Sequence, residues 1–474
     1  MSSSTVPLII DNQDVQTASA FEVRNPRTGA LVHHASSASV IEAEKAVKSA
    51  QSAFVSWSKS KPAVRRAVLL RVAELLEHRR EELLGYVIEE TSVERQFADF
   101  GITAGINLVT DVAGKVSGIN GYSPMLAGDA TAIVYKEPYG VMLGIAPWNA
   151  PFILGVRKAA LAVAAGNTMI LKGAELAPKS YWAIGDVFRQ AGLPAGCVNV
   201  LVHCTKDAAK VTTALIAAPE IQKICFTGST AVGRIIAATA GENLKPVVLE
   251  LGGKGSCIVL DDANLEKAAV ACTLGAFMHA GQVCMSTERI IVHRNVIADF
   301  RTALRSFINA IYGDDKPAPA LISPVPVEKN KSLVKDAVAK GATILTGTLD
   351  APVDSKTGMR PIVVEGVTVS MDMYYSESFG PTVSLFVVDS DSEALQLAND
   401  TDYGLSTSIF TENLGRGLSI ARELDTGAVH INSMTIHDEP VLPHGGVKSS
   451  GYGRFGGADG LDEFLKTKSV TWMN

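Results

Sequence analysis

Three residues of this chain have the type and setting for nucleophilic chemistry. Cys284, one of six cysteines in 474 residues, lies in GQVCMSTER. The helix before it is expected to end at Gly281, a good stop residue, and the next strand to start near Glu288. The thiol therefore falls in a short loop and not on an apolar face. Placement alone leaves open whether it is a nucleophile or an inert buried thiol, the commoner state of free cysteine. Cys272, among alanines inside the preceding helix, reads as core. Glu250 in KPVVLELGGKG interrupts an apolar strand at its carboxyl end, just before a Gly-Gly pair. It is either a strand-end carboxylate on its way to solvent or a partly desolvated acid suited to general base work. Asn149 in IAPWNAP follows the strand VMLGIA. Its amide could donate to a developing oxyanion, or it is an ordinary turn residue.

Two further stretches suit a nucleotide. FTGSTAVG, Phe226 to Gly233, follows a strand and opens a helix, the setting in which a helix N-terminus binds phosphate, with Ser229 as an added donor. Gly228 and Gly233 are separated by four residues, so this is not the GxGxxG fingerprint, and a tightly packed glycine turn explains it equally well. In LKGAE a strand delivers Lys172 and, three residues on, Glu175. A carboxylate there can accept both hydroxyls of an adenosine ribose and would repel a 2′-phosphate.

These residues must be held by alternating elements. VMLGIA, TMILK, VNVLV, KICF and VVLEL are continuous apolar runs, as strands buried on both faces are. Helix-like segments lie between them: RKAALAVAAGN, PKSYWAIGDVFRQAG and TAVGRIIAATA. The succession predicts parallel βαβ units in a doubly wound sheet, whose ligands sit at the carboxyl ends of the strands. A second α/β set follows Gly252, from SCIVLD through DANLEKAAVACTLGAFMHAG and ERIIVH to VSLFVVD, STSIFT and AVHIN. The first 118 or so residues read as a short extended start followed by amphipathic helices, among them PAVRRAVLLRVAELLEHRREELLGYVIEET. Ile119 to Pro138 has β character but no place in the sheet, which makes it a candidate for pairing with another chain. The Pro-rich KPAPALISPVPVEKN is expected to be a surface excursion.

Bulk composition narrows the class. The length implies two or three domains, and 47% hydrophobic with 19% charged residues is ordinary for a globular chain. A net charge of -6 gives no footprint for nucleic acid or anionic lipid. No apolar run approaches the roughly 18 residues that cross a bilayer, and no secretory signal is evident. Cysteines without CxxC pairs and scattered histidines argue against disulfides and a metal site. The expectation is a cytoplasmic protein.

Taken together, IAPWN, LKGAE, GLPAG, FTGSTAVG, LELGGK, GQVC, ESFGP and PHGGVKSSGYGR resemble the aldehyde dehydrogenase superfamily in order and spacing, over about Pro147 to Arg454. The 34-residue interval from Glu250 to Cys284 is also the one usual in that family. The resemblance implies two doubly wound α/β domains and a β oligomerisation arm. Residues 1–118 and 139–250 would form the NAD-binding domain and 251–433 the catalytic domain. Residues 119–138 and 461–474 would form the arm, with 434–460 returning to the cofactor domain. It further implies that Cys284 attacks the aldehyde to give a thiohemiacetal, oxidised to a thioester as NAD accepts the hydride. Asn149 and the Cys284 backbone N–H would hold the oxyanion, and Glu250 would activate the hydrolytic water. Lys172 and Glu175 would take the adenosine ribose, Gly228 and Ser229 the pyrophosphate, and Glu377 and Phe379 the nicotinamide riboside. Ile145, Pro147, Trp148, Phe226 and Gly252 would complete the cofactor site. Glu175 favours NAD over NADP, and a homodimer or homotetramer is implied.

The family's usual proline after the cofactor lysine is replaced here by Gly173, and the Pro317–Pro326 region is shorter and less regular than in most members. Arg157 occupies a helix position that in this family faces the substrate tunnel. A guanidinium there needs a partner, either an oxygen of the substrate or a protein carboxylate. GQVCMSTER and HINSMTIHDEPVLPHGGVKSSGYGRFGG resemble the branch acting on aromatic aldehydes, such as salicylaldehyde and vanillin dehydrogenases, and Arg157 points to the salicylaldehyde type. The alternative is a semialdehyde or other aliphatic aldehyde dehydrogenase. Met285 to Arg289 read only as subfamily signature and strand entry.

Overall fold

The computed structural model describes residues 5–473, so the first four residues of the 1–118 segment and the last of 461–474 lie outside the described residues. Two α/β sheets organise the chain. The first runs, edge to edge, Gly451–Tyr452, Val247–Glu250, Ile221–Thr227, Val141–Ile145, Thr168–Lys172, Val198–Leu201, Leu8–Ile10 and Gln13–Val15. Its five central strands are parallel and its edge strands antiparallel. The apolar runs are continuous because helices cover both faces. Register brings the carboxyl ends to one level: Ile145 lies opposite both Phe226 and Lys172, and Thr227 opposite Glu250.

The second sheet has the order Thr343–Thr346, Ile362–Glu365, Thr382–Val388, Thr287–His293, Gly255–Val259, Ser406–Phe410 and Ala428–Ile431. Its strands are parallel apart from the antiparallel Thr343–Thr346 edge. Strand Gly255–Val259 follows Glu250 after four residues, so one short connection joins the two sheets at their functional ends. Ala130–Pro138 and Leu465–Met473 make a separate antiparallel ribbon, paired along its whole length from Ala130–Met473 to Pro138–Leu465. Val470, Trp472, Met473 and Tyr135 are exposed on it.

Helix Pro151–Ala165 sets the floor of the first domain. Proline at its first turn is pre-set for helical φ and costs no hydrogen bond, and Gly166 stops it at φ 88°. Every residue of this helix is buried, Arg157 and Lys158 included.

Three expectations are corrected. The segment read as one helix from Pro62 breaks at Arg79 into Pro62–His78 and Arg80–Thr91, and the Arg79 guanidinium holds Glu82 and Asp186, each at 2.7 Å. The helix before the nucleophile loop ends at Phe277, four residues before Gly281, because His279, Ala280 and Gly281 all adopt positive φ. The Pro-rich stretch is no surface excursion. Ala318, Ala320 and Leu321 are buried, and Pro324 opens the helix Pro324–Ala339. Alternating proline with small apolar residues let it tuck in.

Candidate active site

The carboxyl ends of the first sheet and the loop before Thr287–His293 enclose a cleft of about 310 Å³. Cys284, Glu250 and Asn149 all line it. The two domains contribute different members, since Asn149 and Glu250 leave first-sheet strands and Cys284 precedes a second-sheet strand.

The Cys284 loop is pinned from three sides. Asn149 Nδ2 donates to the Gln282 carbonyl at 2.9 Å. The Gln282 side chain, fully buried, accepts from Ile322 N at 2.8 Å and donates to the His279 and Ala320 carbonyls. Gly253 packs on the loop so closely that a Cβ there would lie 2.2 Å from the Cys284 carbonyl oxygen. Gly281, at φ 72°, does the same against Gly380, where a Cβ would meet a carbonyl oxygen at 2.2 Å. The glycines of GG and GQVC thus serve close backbone approach. The Asn149 bond to Gln282 occupies one amide hydrogen and leaves the other for a ligand.

Glu250 is 1% exposed, and neither carboxylate oxygen has a hydrogen-bond partner. Burial, followed by the facing Glu250 carboxylate, pushes the Cys284 thiol well above its usual range. An unpartnered buried carboxylate beside a protonated thiol is an acceptor for its proton.

Pro147, Trp148, Gly228, Ser229, Gly252, Glu377 and Phe379 line the same cleft. Ile145 and Phe226 stand behind it in the buried core, and the Phe226 ring fills the place where a Gly228 Cβ would go, at 2.5 Å. Ser229 caps helix Thr230–Glu242, accepting from Val232 N at 3.4 Å. Lys172 and Glu175 lie further along the strand ends. Burial lowers the Lys172 ammonium and Glu175 acts in the opposite sense. The Trp148 and Phe379 rings meet edge to face at 6.2 Å.

The sequence profile described as "Aldehyde dehydrogenase family" matches residues 13–470. The chain belongs to the aldehyde dehydrogenase family. It is 40% identical to a vanillin dehydrogenase of Pseudomonas fluorescens, over 99% of this chain and 98% of that one. A mitochondrial succinate-semialdehyde dehydrogenase of Oryza sativa is 33% identical over 97% of this chain and 88% of its own. Among solved structures, a salicylaldehyde dehydrogenase from Pseudomonas putida G7 complexed with salicylaldehyde superposes with a TM-score of 0.95. It is 33% identical, over 99% of this chain and 98% of that one.

Two features of this aldehyde dehydrogenase escape sequence reasoning. Glu288 is no mere strand-entry residue. It accepts from the backbone N–H of Ser378 and Phe379, from the Ser378 hydroxyl at 2.8 Å and from Lys254 Nζ at 2.7 Å. Lys254 also donates to the Ser376 carbonyl, so this buried pair clamps the loop carrying Glu377 and Phe379. Glu377 in turn accepts from Gly253 N at 2.8 Å. Next to Glu288, Arg289 donates to the carbonyls of Leu397, Tyr374 and Asp400. The one available signal was two charged residues inside an apolar strand, which calls for buried partners. The second feature is Gly173. A Cβ there would sit 2.3 Å from the Tyr181 ring, whose hydroxyl donates to the Pro147 carbonyl at 2.6 Å. Tyr181 occupies the space that the family's usual proline would need.

Arg157 is brought to a protein carboxylate, one of the two partners its sequence position allowed. Its Nη2 donates to Asp438, while Nε and Nη1 have no partner.

Removing Glu288 leaves the Lys254 charge buried and alone. Glu288→Ala should therefore lower the unfolding free energy by about 3–5 kcal/mol in urea titrations, and Lys254→Met/Glu288→Leu should restore only the part due to the stranded Lys254 charge, since the Ser378 and Phe379 N–H groups stay unpaired. A loss under about 1 kcal/mol would show that the pair is not a clamp.

Proposed function

We propose that the enzyme oxidises an aromatic aldehyde of the salicylaldehyde or vanillin type to its carboxylic acid, with NAD as oxidant, through a thiohemiacetal and a thioester on Cys284. The observation that carries the chemistry is the convergence of Cys284, the unpartnered Glu250 and the anchored Asn149 in one cleft.

The residues present fit a nicotinamide dinucleotide. Gly228 and Ser229 stand at the head of the 13-residue helix Thr230–Glu242, where backbone N–H groups favour phosphate. At Gly252 any Cβ would come within 2.7 Å of the Glu377 carboxylate, so the backbone there leaves room beside that side chain. Glu175, near the half-buried Lys172, suits a ribose with both hydroxyls free and disfavours a 2′-phosphate, which supports NAD over NADP. Bound NAD supplies the two-electron acceptor.

The protein's part begins with a proton. Burial and the facing carboxylate hold the Cys284 thiol toward its protonated form, so Glu250 takes its proton as the sulfur adds to the aldehyde carbon. The resulting oxyanion accepts from the second Asn149 amide hydrogen and from the Cys284 backbone N–H. Once the thioester has formed and Glu250 has passed its first proton to solvent, Glu250 accepts a second proton from the water that attacks the thioester; collapse expels the thiolate and frees the acid, and Glu250 returns this second proton to the sulfur to restore the thiol. The aromatic reading is supported by the likeness to vanillin and salicylaldehyde dehydrogenases and by the buried donors of Arg157. We assign the exposed Ala130–Pro138 and Leu465–Met473 ribbon to the contact between subunits of a homodimer or homotetramer.

Cys284→Ala should lower kcat/KM by at least about 10³-fold, and Glu250→Gln, which removes the acceptor for both protons, should slow the NADH burst and the steady-state turnover each by about 10²-fold. Full steady-state activity in either variant removes the role assigned to it. On a panel of aldehydes, kcat/KM should be highest for salicylaldehyde, vanillin or benzaldehyde, and aliphatic aldehydes outrunning all three would sink the aromatic reading.

A third test uses pH. Burial, followed by the charge of Glu288, pushes Glu377 up to about 7, against the pull of the Gly253 N–H. Its carboxylate form is the one that accepts ribose hydroxyls, and it is lost as pH falls through that value. The KM for NAD should thus rise about tenfold from pH 8 to pH 6, and Glu377→Gln should flatten the profile. A flat profile in the unaltered enzyme separates Glu377 from cofactor binding.

A further inference from the structure

The Arg157–Asp438 pair is buried in an unusual way. Arg157 lies one helical turn after Leu154, which lines the cleft, and its side chain is 1% exposed. Asp438 reaches it from the segment after Ala428–Ile431, with its own side chain 11% exposed. The aspartate also stands close enough to Cys284 to add to the negative field on the thiol. The guanidinium lies 5.9 Å from the centre of the Phe455 ring, leaving Nε and Nη1 without an acceptor. Arg289, the other large buried arginine, also has an Nε without a partner but places both terminal nitrogens on backbone carbonyls, so Nη1 is what sets Arg157 apart. An arginine kept only to hold the fold would be satisfied in that way, because a buried donor left unpaired destabilises. Burial disfavours the charged form of two of the histidines nearby. His444 is lowered by burial, His430 is lowered to about 4 for the same reason, and the His430 and His437 rings lie 4.6 Å apart. Within the ion pair itself, one guanidinium faces one carboxylate.

We propose that Asp438 sets the charge selectivity of the substrate passage: it neutralises Arg157, whose two free N–H groups then receive an uncharged oxygen on the substrate, and an aldehyde that carries a carboxylate is turned away. This rests on the reading above that Arg157 borders the aldehyde. A free guanidinium binds carboxylates through two parallel hydrogen bonds. Here Asp438 already holds Nη2, and its negative charge would stand beside any incoming carboxylate, a juxtaposition that costs binding. A methoxy or hydroxyl oxygen accepts from Nη1 or Nε without that repulsion, and a hydroxyl can also donate to Asp438. The pair thus discriminates against semialdehydes with an acidic tail while admitting oxygen-substituted rings.

The test compares kcat/KM within two matched pairs, para-methoxybenzaldehyde with para-carboxybenzaldehyde and butanal with succinate semialdehyde. The unaltered enzyme should disfavour the carboxylated member of each pair by at least about tenfold, and Asp438→Asn should raise the carboxylated-to-uncharged ratio by about tenfold, chiefly through KM. Asp438→Glu should keep the original ratio. An Asp438→Asn ratio within about twofold of the starting one, or an unaltered enzyme that takes both members of each pair equally, overturns the proposal. Should Asp438→Asn fail to fold, Asp438→Ser carries the test: it too removes the charge and should raise the ratio about tenfold, and a ratio within about twofold of the starting one overturns the proposal. The aromatic reading fails separately, when both aliphatic aldehydes outrun both aromatic ones, and the ratio within each pair is still readable in that case.

Discussion

The site depends on one hydrogen bond between the two domains, Asn149 Nδ2 to the Gln282 carbonyl. Asn149 follows a first-sheet strand and Gln282 sits two residues before the nucleophile, so this bond sets the position of the thiol relative to Glu250. It can form only because the Cys284 loop is already stiff. His279, Ala280 and Gly281 fold back in left-handed conformations, and the Gln282 side chain is spent on three backbone partners. The strain of two non-glycine residues at positive φ is a cost of order 1–3 kcal/mol each, offset by those buried bonds. A loop held this rigidly preorganises the Asn149 amide for the oxyanion role proposed for it.

Much of this was legible in residue order. Parallel βαβ units, a Gly-Gly pair after a strand-end acid and a cysteine in a helix-to-strand loop each follow from local pattern, and their spacing located the catalytic cleft. What stayed hidden depends on partners far apart in the chain. Glu288 meets Ser378 across 90 residues and Arg157 meets Asp438 across 281, distances at which no periodicity carries information. Sequence could say that Arg157 needed a partner without naming it. It could also flag Gly173 as a departure, but the reason is the Tyr181 ring lying over it, a contact made by the next helix. The Pro-rich stretch misled because proline was read as a surface marker, whereas here it opens a helix and leaves small residues to pack.

The clamp on the 376–380 loop shows how the second domain reaches into the cofactor side. Phe379 has a φ of 47°, which a non-glycine residue holds only when its surroundings impose it. Glu288 supplies that constraint by taking the N–H groups of Ser378 and Phe379 together, and Lys254 pairs with it in the interior. The same charge of Glu288 helps raise Glu377, so one buried carboxylate both shapes the loop and tunes its neighbour.

Charge around the sulfur follows a consistent logic. Glu250, Glu377 and Asp438 all act on Cys284 in the direction of the protonated thiol, after burial itself. The nearest buried cations are held elsewhere: Lys158 donates to Thr227 at 2.6 Å and lies over the Phe455 ring at 4.9 Å, and Arg157 is engaged by Asp438. Burial also lowers Lys158 to about 8, which weakens its pull on the thiol further. A neutral thiol is a poor target for oxidants and metals, because the thiolate is the reactive form. On the proposed mechanism, activation of Cys284 is coupled to substrate, because the proton leaves for Glu250 as an aldehyde carbon is placed against the sulfur.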